Sequence, residues 1–405
     1  MTMTRPALHS RATPQLVQRL FAPLKGAITG ARFSTKPDHR RRSLDAASIV
    51  VALVFSQMRR FPSLRALVEA LDDNSRVRAV LDLPAVRRST LSDALSGRLR
   101  KKRPDTRLLD FTQALFRSVA RQASTSLGKA KGATETYLAV DGTVFSATAK
   151  MMFACFDSNR NALKAHVAFS VGDYVPSFIT LTKATACEKK ELHKKIKRGR
   201  TYILDRGYVG FDLFRAIRKR GAKFITRKKS NMNIEVERRF DVPADEKDQG
   251  VIRDEIVRLD GGRLRLRMVV YRAADDRVYE YLTSHYGLAA LEIADLYKSR
   301  WAVETFFKFI KHSLVTRHLI SRTLIGFHIQ LLSAAIAYLL FAIHFGPHPS
   351  GRPPVSLSQM RQLSDRVYEA IILASEGIVL REDGQGAQQT RSCASTMNRA
   401  SPSLT

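Results

Sequence analysis

The chain has 405 residues, 44% of them hydrophobic, enough to bury a large core and to form two or three structural units. Its 68 Lys and Arg against 37 Asp and Glu leave a formal net charge of +31, with a pI of about 10.5. An excess of this size points to a polyanion, most often nucleic acid, while the length and apolar content argue against a small ribosomal protein.

Three cysteines, Cys155, Cys187 and Cys393, have neither metal-ligand nor disulfide spacing, so a reducing compartment without structural zinc is expected. The first 25 residues lack a continuous apolar stretch and read as no signal peptide. Residues 1–42 carry nine Lys or Arg against one acid, Asp38, and read as a basic arm available to DNA. From Ser43 to about Leu99 the text is helical: AASIVVALVFSQM, SLRALVEALDD and STLSDALSGRL, the last two opened by a capping Ser. Short helices over 43–125 look like a small DNA-end-binding domain of helix-turn-helix type. LRKKRPD (99–105) reads as a basic linker, 107–122 as a further helix and 121–133 as a loop.

From Thr136 the period changes to that of strands. TYLAVDGTVFSA, KAHVAFSV and VPSFITLTKA form a meander, and KKELHKKIKRGR (189–200) is a basic helix or loop. TYILDRGYVG is a strand ending in a turn, FDLFRAIRKRG a helix stopped by Gly221, and AKFITRK a strand. The order predicts a mixed α/β sheet. Residues 228–288 then read as an inserted β unit of three segments, NIEVERRFDV, RLRLRMVVYRA and VYEYLTSH. A helix starts near Ala290, and the apolar run 331–345 is short for a bilayer span and reads as a buried helix. A C-terminal helical segment (346–383) and a polar, disordered tail (384–405) complete the chain.

Chemistry concentrates in DLYKSRWAVETFFKFIKHSL. On one helical wheel, Tyr297, Arg300, Glu304, Lys308 and Lys311 share an arc of about 80°, beside an apolar stripe of Leu296, Val303, Phe306, Phe307, Ile310 and Leu314. A carboxylate among cations suits metal-assisted work on a phosphodiester, but one Glu cannot hold divalent ions alone. Asp141 and Asp205 each end an apolar strand, where a carboxylate is positioned and open on one side; the competing role is a turn or helix cap.

Asp141 in VDGT, Asp205 in LDRGY, and the Y-x2-R-x3-E-x6-K pattern of Tyr297, Arg300, Glu304 and Lys311 resemble the signature of DDE transposases of the insertion sequence 4 family. The resemblance spans roughly residues 137–345. It implies an RNase H-like catalytic core over 134–345 with the β insertion at 228–288. It also implies that Asp141, Asp205 and Glu304 bind two Mg²⁺ ions, for which Mn²⁺ would substitute. One ion would activate water and later a DNA 3′-hydroxyl, the other would stabilise the leaving oxygen, and no covalent enzyme–DNA intermediate is expected. Tyr297 and Arg300 would grip a cleaved DNA end and Lys311 its terminal phosphate, with Lys308 and Arg206 assisting. Relatives stack a flipped base on a Trp of the β insertion. The single Trp here is Trp301, in the signature helix, so Tyr271, Tyr279 or Tyr281, or Trp301 itself, would have to take that place. Core packing is the stronger expectation for Trp301.

The implied partners are double-stranded DNA, at transposon ends and target, and a second copy of the chain. The implied setting is the bacterial cytoplasm, with nucleoid association through DNA and no membrane. A structure-selective nuclease that hydrolyses without joining, and a non-catalytic DNA-binding remnant, are the competing readings.

Overall fold

The computed structural model describes residues 14–30, 44–73, 75–97, 104–128, 135–147, 161–314, 321, 323–347 and 356–375. Most of the basic arm, the Arg-Lys-rich part of the linker and the tail from 384 lie outside them. Six helices come first: α1 (Pro14–Gly30), α2 (Ala46–Arg59), α3 (Leu64–Asp72), α4 (Ser75–Leu81), α5 (Arg88–Ser96) and α6 (Arg107–Leu127). Ser63 caps α3 by accepting from Ala66 N at 3.1 Å, as expected, and Asp45 caps α2 through Ser48 N at 2.7 Å. Ser89 does not cap α5. That helix closes its first turn two residues earlier, Leu91 N donating to Arg87 O, with no side-chain cap.

Two stretches expected to be irregular are helical. Residues 14–30 of the expected arm form α1, whose Val17, Leu20, Phe21 and Leu24 recur at helical spacing and are buried. The expected loop from 121 continues α6 to Leu127, because Ala123 and Leu127 extend its buried stripe and the Ser124 hydroxyl donates to Asp173.

The strands are β1 (Thr136–Ala147), β2 (Asn161–Ser170), β3 (Val175–Lys183), β4 (Arg200–Leu204), β5 (Lys223–Arg227), β6 (Glu235–Phe240), β7 (Val251–Leu259), β8 (Leu264–Arg272) and β9 (Val278–Thr283). Helices α7 (Glu188–Lys195), α8 (Phe211–Lys219) and α9 (Ala244–Asp248) lie between them. After the last strand come α10 (Ala290–Lys298), α11 (Trp301–Ser313), α12 (Leu324–Phe345) and α13 (Leu357–Ser375). All nine strands form one sheet in the order β3-β2-β1-β4-β5-β9-β8-β7-β6. β1, β4 and β5 run parallel to one another and β2 antiparallel to both its neighbours. The strands of the expected insertion continue the same sheet: β9 pairs with β5 and carries it outward through β8, β7 and β6.

Side chains alternate across the sheet. Leu138 and Val140 of β1, with Tyr202 and Leu204 of β4, pack against α7 and α8. Ala139 and Ile203 face the other way, into a cluster shared with α10, α11, α12 and the N-terminal helices. The N-terminal helices share a continuous core with this face of the sheet, centred on α12. That helix is long and apolar enough to cross a bilayer, yet 83% of its most apolar window is buried inside the protein, as the sequence predicts. A helix apolar on every side is the central rod of a core, each Leu or Phe it buries contributing about 1.5–3 kcal/mol.

Candidate active site

Parallel strands buried on both faces read as unbroken apolar runs, which is why TYLAV and TYIL become the adjacent strands β1 and β4. Their register ends at Val140 opposite Leu204. The next residue in each chain is an aspartate, so Asp141 and Asp205 emerge side by side. By alternation both fall on the face of Ala139 and Ile203, toward α11. β1 runs on past Asp141 to Ala147 against β2, over the whole of TYLAVDGTVFSA; what ends at Val140 is its pairing with β4.

Both carboxylates also take part in local structure. Asp141 accepts from Gly142 N at 2.7 Å, and Asp205 caps the 3₁₀ turn Arg206–Tyr208 by accepting from Gly207 N at 3.3 Å. The capping role coexists with a position at the strand ends.

Glu304 reaches the pair from α11, but the helix that carries it is not the continuous one expected. The chain breaks at Ser299–Arg300, where Arg300 N, Ala302 N and Val303 N donate to carbonyls three residues back and the Ser299 hydroxyl takes the Leu296 carbonyl at 2.7 Å. Tyr297 therefore belongs to α10, and the five residues do not share one wheel. Arg300, 8% exposed at the junction, donates to Glu304 Oε1 at 2.8 Å and lies 3.6 Å from Asp141 Oδ2. It joins the carboxylate of α11 to that of β1. Among the described residues, no three His, Cys, Asp or Glu side chains are arranged as a ready metal cage.

The signature residues divide by burial. Tyr297 is 8% exposed, its ring 4.9 Å from that of Tyr281, with Tyr279 beyond and the Arg300 guanidinium 6.0 Å above it. Arg206, Lys308 and Lys311 are exposed. Trp301 is 62% exposed, which overturns the expectation of core packing: it opens α11 on the side away from Val303, Phe306 and Ile310, which are buried. Of the predicted stripe, Val303, Phe306, Phe307, Ile310 and Leu314 are buried and Leu296 is partly so, joined by Phe309 against Tyr338 and Phe341. Glu188, at the start of α7, adds negative charge near Asp141. Nothing in KATACEKKELHKK marks it, since an acid in a helix's first turn is ordinary.

Burial, together with Asp205 and Glu188, pushes the Asp141 carboxyl up to about 6, against the opposing pull of Gly142 N and Arg300. Burial works against the Arg300 cation, but Tyr297, Glu304, Asp141 and Asp205 outweigh it and raise its pKa. The site is thus short of positive charge even with Arg300 in place, and its oxygen donors suit hard divalent cations such as Mg²⁺. Asp141 and Asp205 would hold one from the strand ends, and Glu304 would join them from α11.

The same shift has a consequence for stability. The folded protein retains the Asp141 proton up to about pH 6, whereas the unfolded chain releases it near 3.8. Stability should therefore fall as pH rises between these values and stay lower above them. In EDTA, Asp141→Asn is expected to stabilise the protein by up to about 3 kcal/mol at pH 8 and by almost nothing at pH 4. Denaturant unfolding at the two pH values measures this, and a gain equal at both would contradict it.

Residues 132–340 match the family model described as a transposase DDE domain, half of the chain. The "Putative transposase y4zB" of Sinorhizobium fredii is 33% identical over 188 residues, covering 45% of this chain and 53% of that protein. The "Probable transposase for insertion sequence element IS5377" of Geobacillus stearothermophilus is 25% identical, over 47% of this chain and 52% of that protein. The "Putative transposase for insertion sequence element IS4SA" of Synechocystis sp. is 22% identical, over 64% and 75% respectively. The chain spans about half the length of the first two of these relatives. With two strand-end aspartates beside a helical glutamate inside the matched region, the chain belongs to the transposase DDE domain family.

Proposed function

We propose that the chain is an insertion-sequence transposase of the insertion sequence 4 type, which binds terminal inverted repeats, cleaves at them and joins the freed 3′ ends to target DNA. The observation that carries this reading is the register of β1 and β4, which sets Asp141 beside Asp205, with Arg300 linking Asp141 to Glu304. Strand order β3-β2-β1-β4-β5, with only β2 antiparallel to its neighbours, supports an RNase H-like core. Transposase names among the relatives support DNA as substrate.

Two divalent cations, Mg²⁺ with Mn²⁺ as substitute, would supply activation of the attacking oxygen and charge stabilisation at the leaving one. The chain's own residues do the rest. Asp141, Asp205 and Glu304 fix the donor oxygens on two strands and a helix, elements rigid enough to hold geometry. Arg300 offsets their charge before DNA arrives. Lys308, Lys311 and Arg206 offer exposed cations to DNA phosphates, and Trp301 offers an exposed ring beside them for stacking on a base. Tyr297 and Arg300 would have to leave their buried partners to touch DNA. Two ends joined in one event require two active sites, hence a dimer in the DNA complex.

The test is strand transfer. Pre-cleaved ends, target DNA and Mg²⁺ are expected to yield joined products with the full chain. Hydrolysis without joining would identify a nuclease, and neither activity, with end binding intact, a non-catalytic DNA-binding protein.

A further inference from the structure

The two glycines of the aspartate motifs make room for a fourth carboxylate. Gly142 follows Asp141 and lies on the α7 face of β1. A Cβ there would meet Glu188 Oε1 at 2.9 Å. A Cβ on Gly207 would lie 4.0 Å from Glu188 Oε2 and 3.8 Å from Asp205 Oδ2. One oxygen of Glu188 thus lies over Gly142 and the other near Gly207, whose built Cβ also lies close to Asp205 Oδ2, at the edge where β4 stops. Its only ion pair among the described residues is with Lys164 of β2, at 3.2 Å.

An acid in the first turn of α7 has an ordinary role in offsetting the helix dipole. A second observation points further. The Tyr208 side chain is 1% exposed, and its hydroxyl has no hydrogen-bond partner among the described residues. It lines a cavity with Glu188, Val140 and His166, whose Nδ1 is likewise buried and unpaired. Burial, and then the negative charges of Glu188, Asp141 and Asp205, push the phenol far above its usual range. An unpaired buried hydroxyl in a cavity shared with Glu188 has a use when a hydrated cation brings donors and acceptors to it.

We propose that Glu188 is a ligand of the divalent-cation site, closing it on the α7 side of Asp141 and Asp205 opposite Glu304, with Tyr208 hydrogen-bonded to the cation's water shell and Lys164 as the resting partner that Glu188 gives up. The proposal rests on the reading of Asp141 and Asp205 as cation ligands, and the experiment separates the two.

Mn²⁺ binding to the full chain without DNA, followed by the EPR signal of free Mn²⁺, tests it with no reliance on activity. Asp141→Asn and Asp205→Asn should each remove the tightest ion. Glu188→Gln, which keeps the side chain's shape, should weaken it about tenfold or more. Lys164→Met, which frees Glu188 from its competitor, should tighten it several-fold. This variant keeps the test decisive should Glu188→Gln fold poorly. Wild-type Mn²⁺ affinity in Glu188→Gln or in Lys164→Met, with the ion lost in the two Asp variants, would overturn the role of Glu188 alone. Wild-type affinity in the Asp variants would overturn the cation reading of the pair, and the role of Glu188 with it.

Discussion

Asp141→Asn, Asp205→Asn and Glu304→Gln are each expected to reduce Mg²⁺-dependent cleavage of end DNA by at least about 1000-fold, about 4 kcal/mol of transition-state stabilisation. Each change keeps the volume of the side chain and removes one charged oxygen donor. Local structure should survive. An Asn amide oxygen can still accept from Gly142 N or Gly207 N, and Glu304 lies in the first turn of α11, where Gln is well tolerated. End binding should survive too, because the exposed Arg206, Lys308, Lys311 and Trp301 are untouched. Gel-shift and cleavage assays on the same end fragment measure both properties. Cleavage retained in any one variant removes that residue from the site.

Local pattern carried the elements that make this site legible. TYLAV and TYIL could be read as buried strands each followed by an aspartate, and it is their parallel pairing in the fold that sets the two side by side. The hydrophobic spacing of 303–314 likewise gave the face by which α11 enters the core. What escaped depended on tertiary partners. β7 was missed because VIRDEIVRL carries acids at buried positions. Asp254 is satisfied by a two-pronged bond from Arg267 at 2.8 and 2.7 Å, and Glu255, fully buried, accepts from Arg239 at 3.1 Å. α1 was hidden by the basic text around it, its apolar spacing gaining meaning once α6, α12 and α13 are there to cover it. The break between α10 and α11 leaves no trace in propensity, since Ser299 and Arg300 are compatible with a helix; the side chain that stabilises it is a hydroxyl bonded three residues back. Glu188 was invisible for the same kind of reason, being forty-seven positions from Asp141 and brought to it by the crossover between β3 and β4.

Arg300→Met should separate two roles that the signature arginine could play. Among the described residues, its guanidinium pairs with both Glu304 and Asp141, at 2.8 and 3.6 Å, with its side chain 10% exposed. Removing the charge leaves Asp141, Asp205 and Glu304 to repel one another. Stripping one partner from a buried pair costs about 3–5 kcal/mol, and the 30% exposure of the Glu304 side chain reduces that to about 2–3 kcal/mol here. Unfolding in EDTA should show this loss. Saturating Mn²⁺ should restore most of it, because a divalent ion offsets the same charges and binds only the folded site. Arg300→Lys should recover little in EDTA, since a single ammonium cannot fork between carboxylates on two different elements as a guanidinium does. An arginine acting solely as a DNA contact would behave otherwise. Its loss would leave EDTA stability and the Mn²⁺ response at wild-type values while lowering affinity for end DNA. The Mn²⁺-dependent difference in unfolding free energy between Arg300→Met and wild type decides between them.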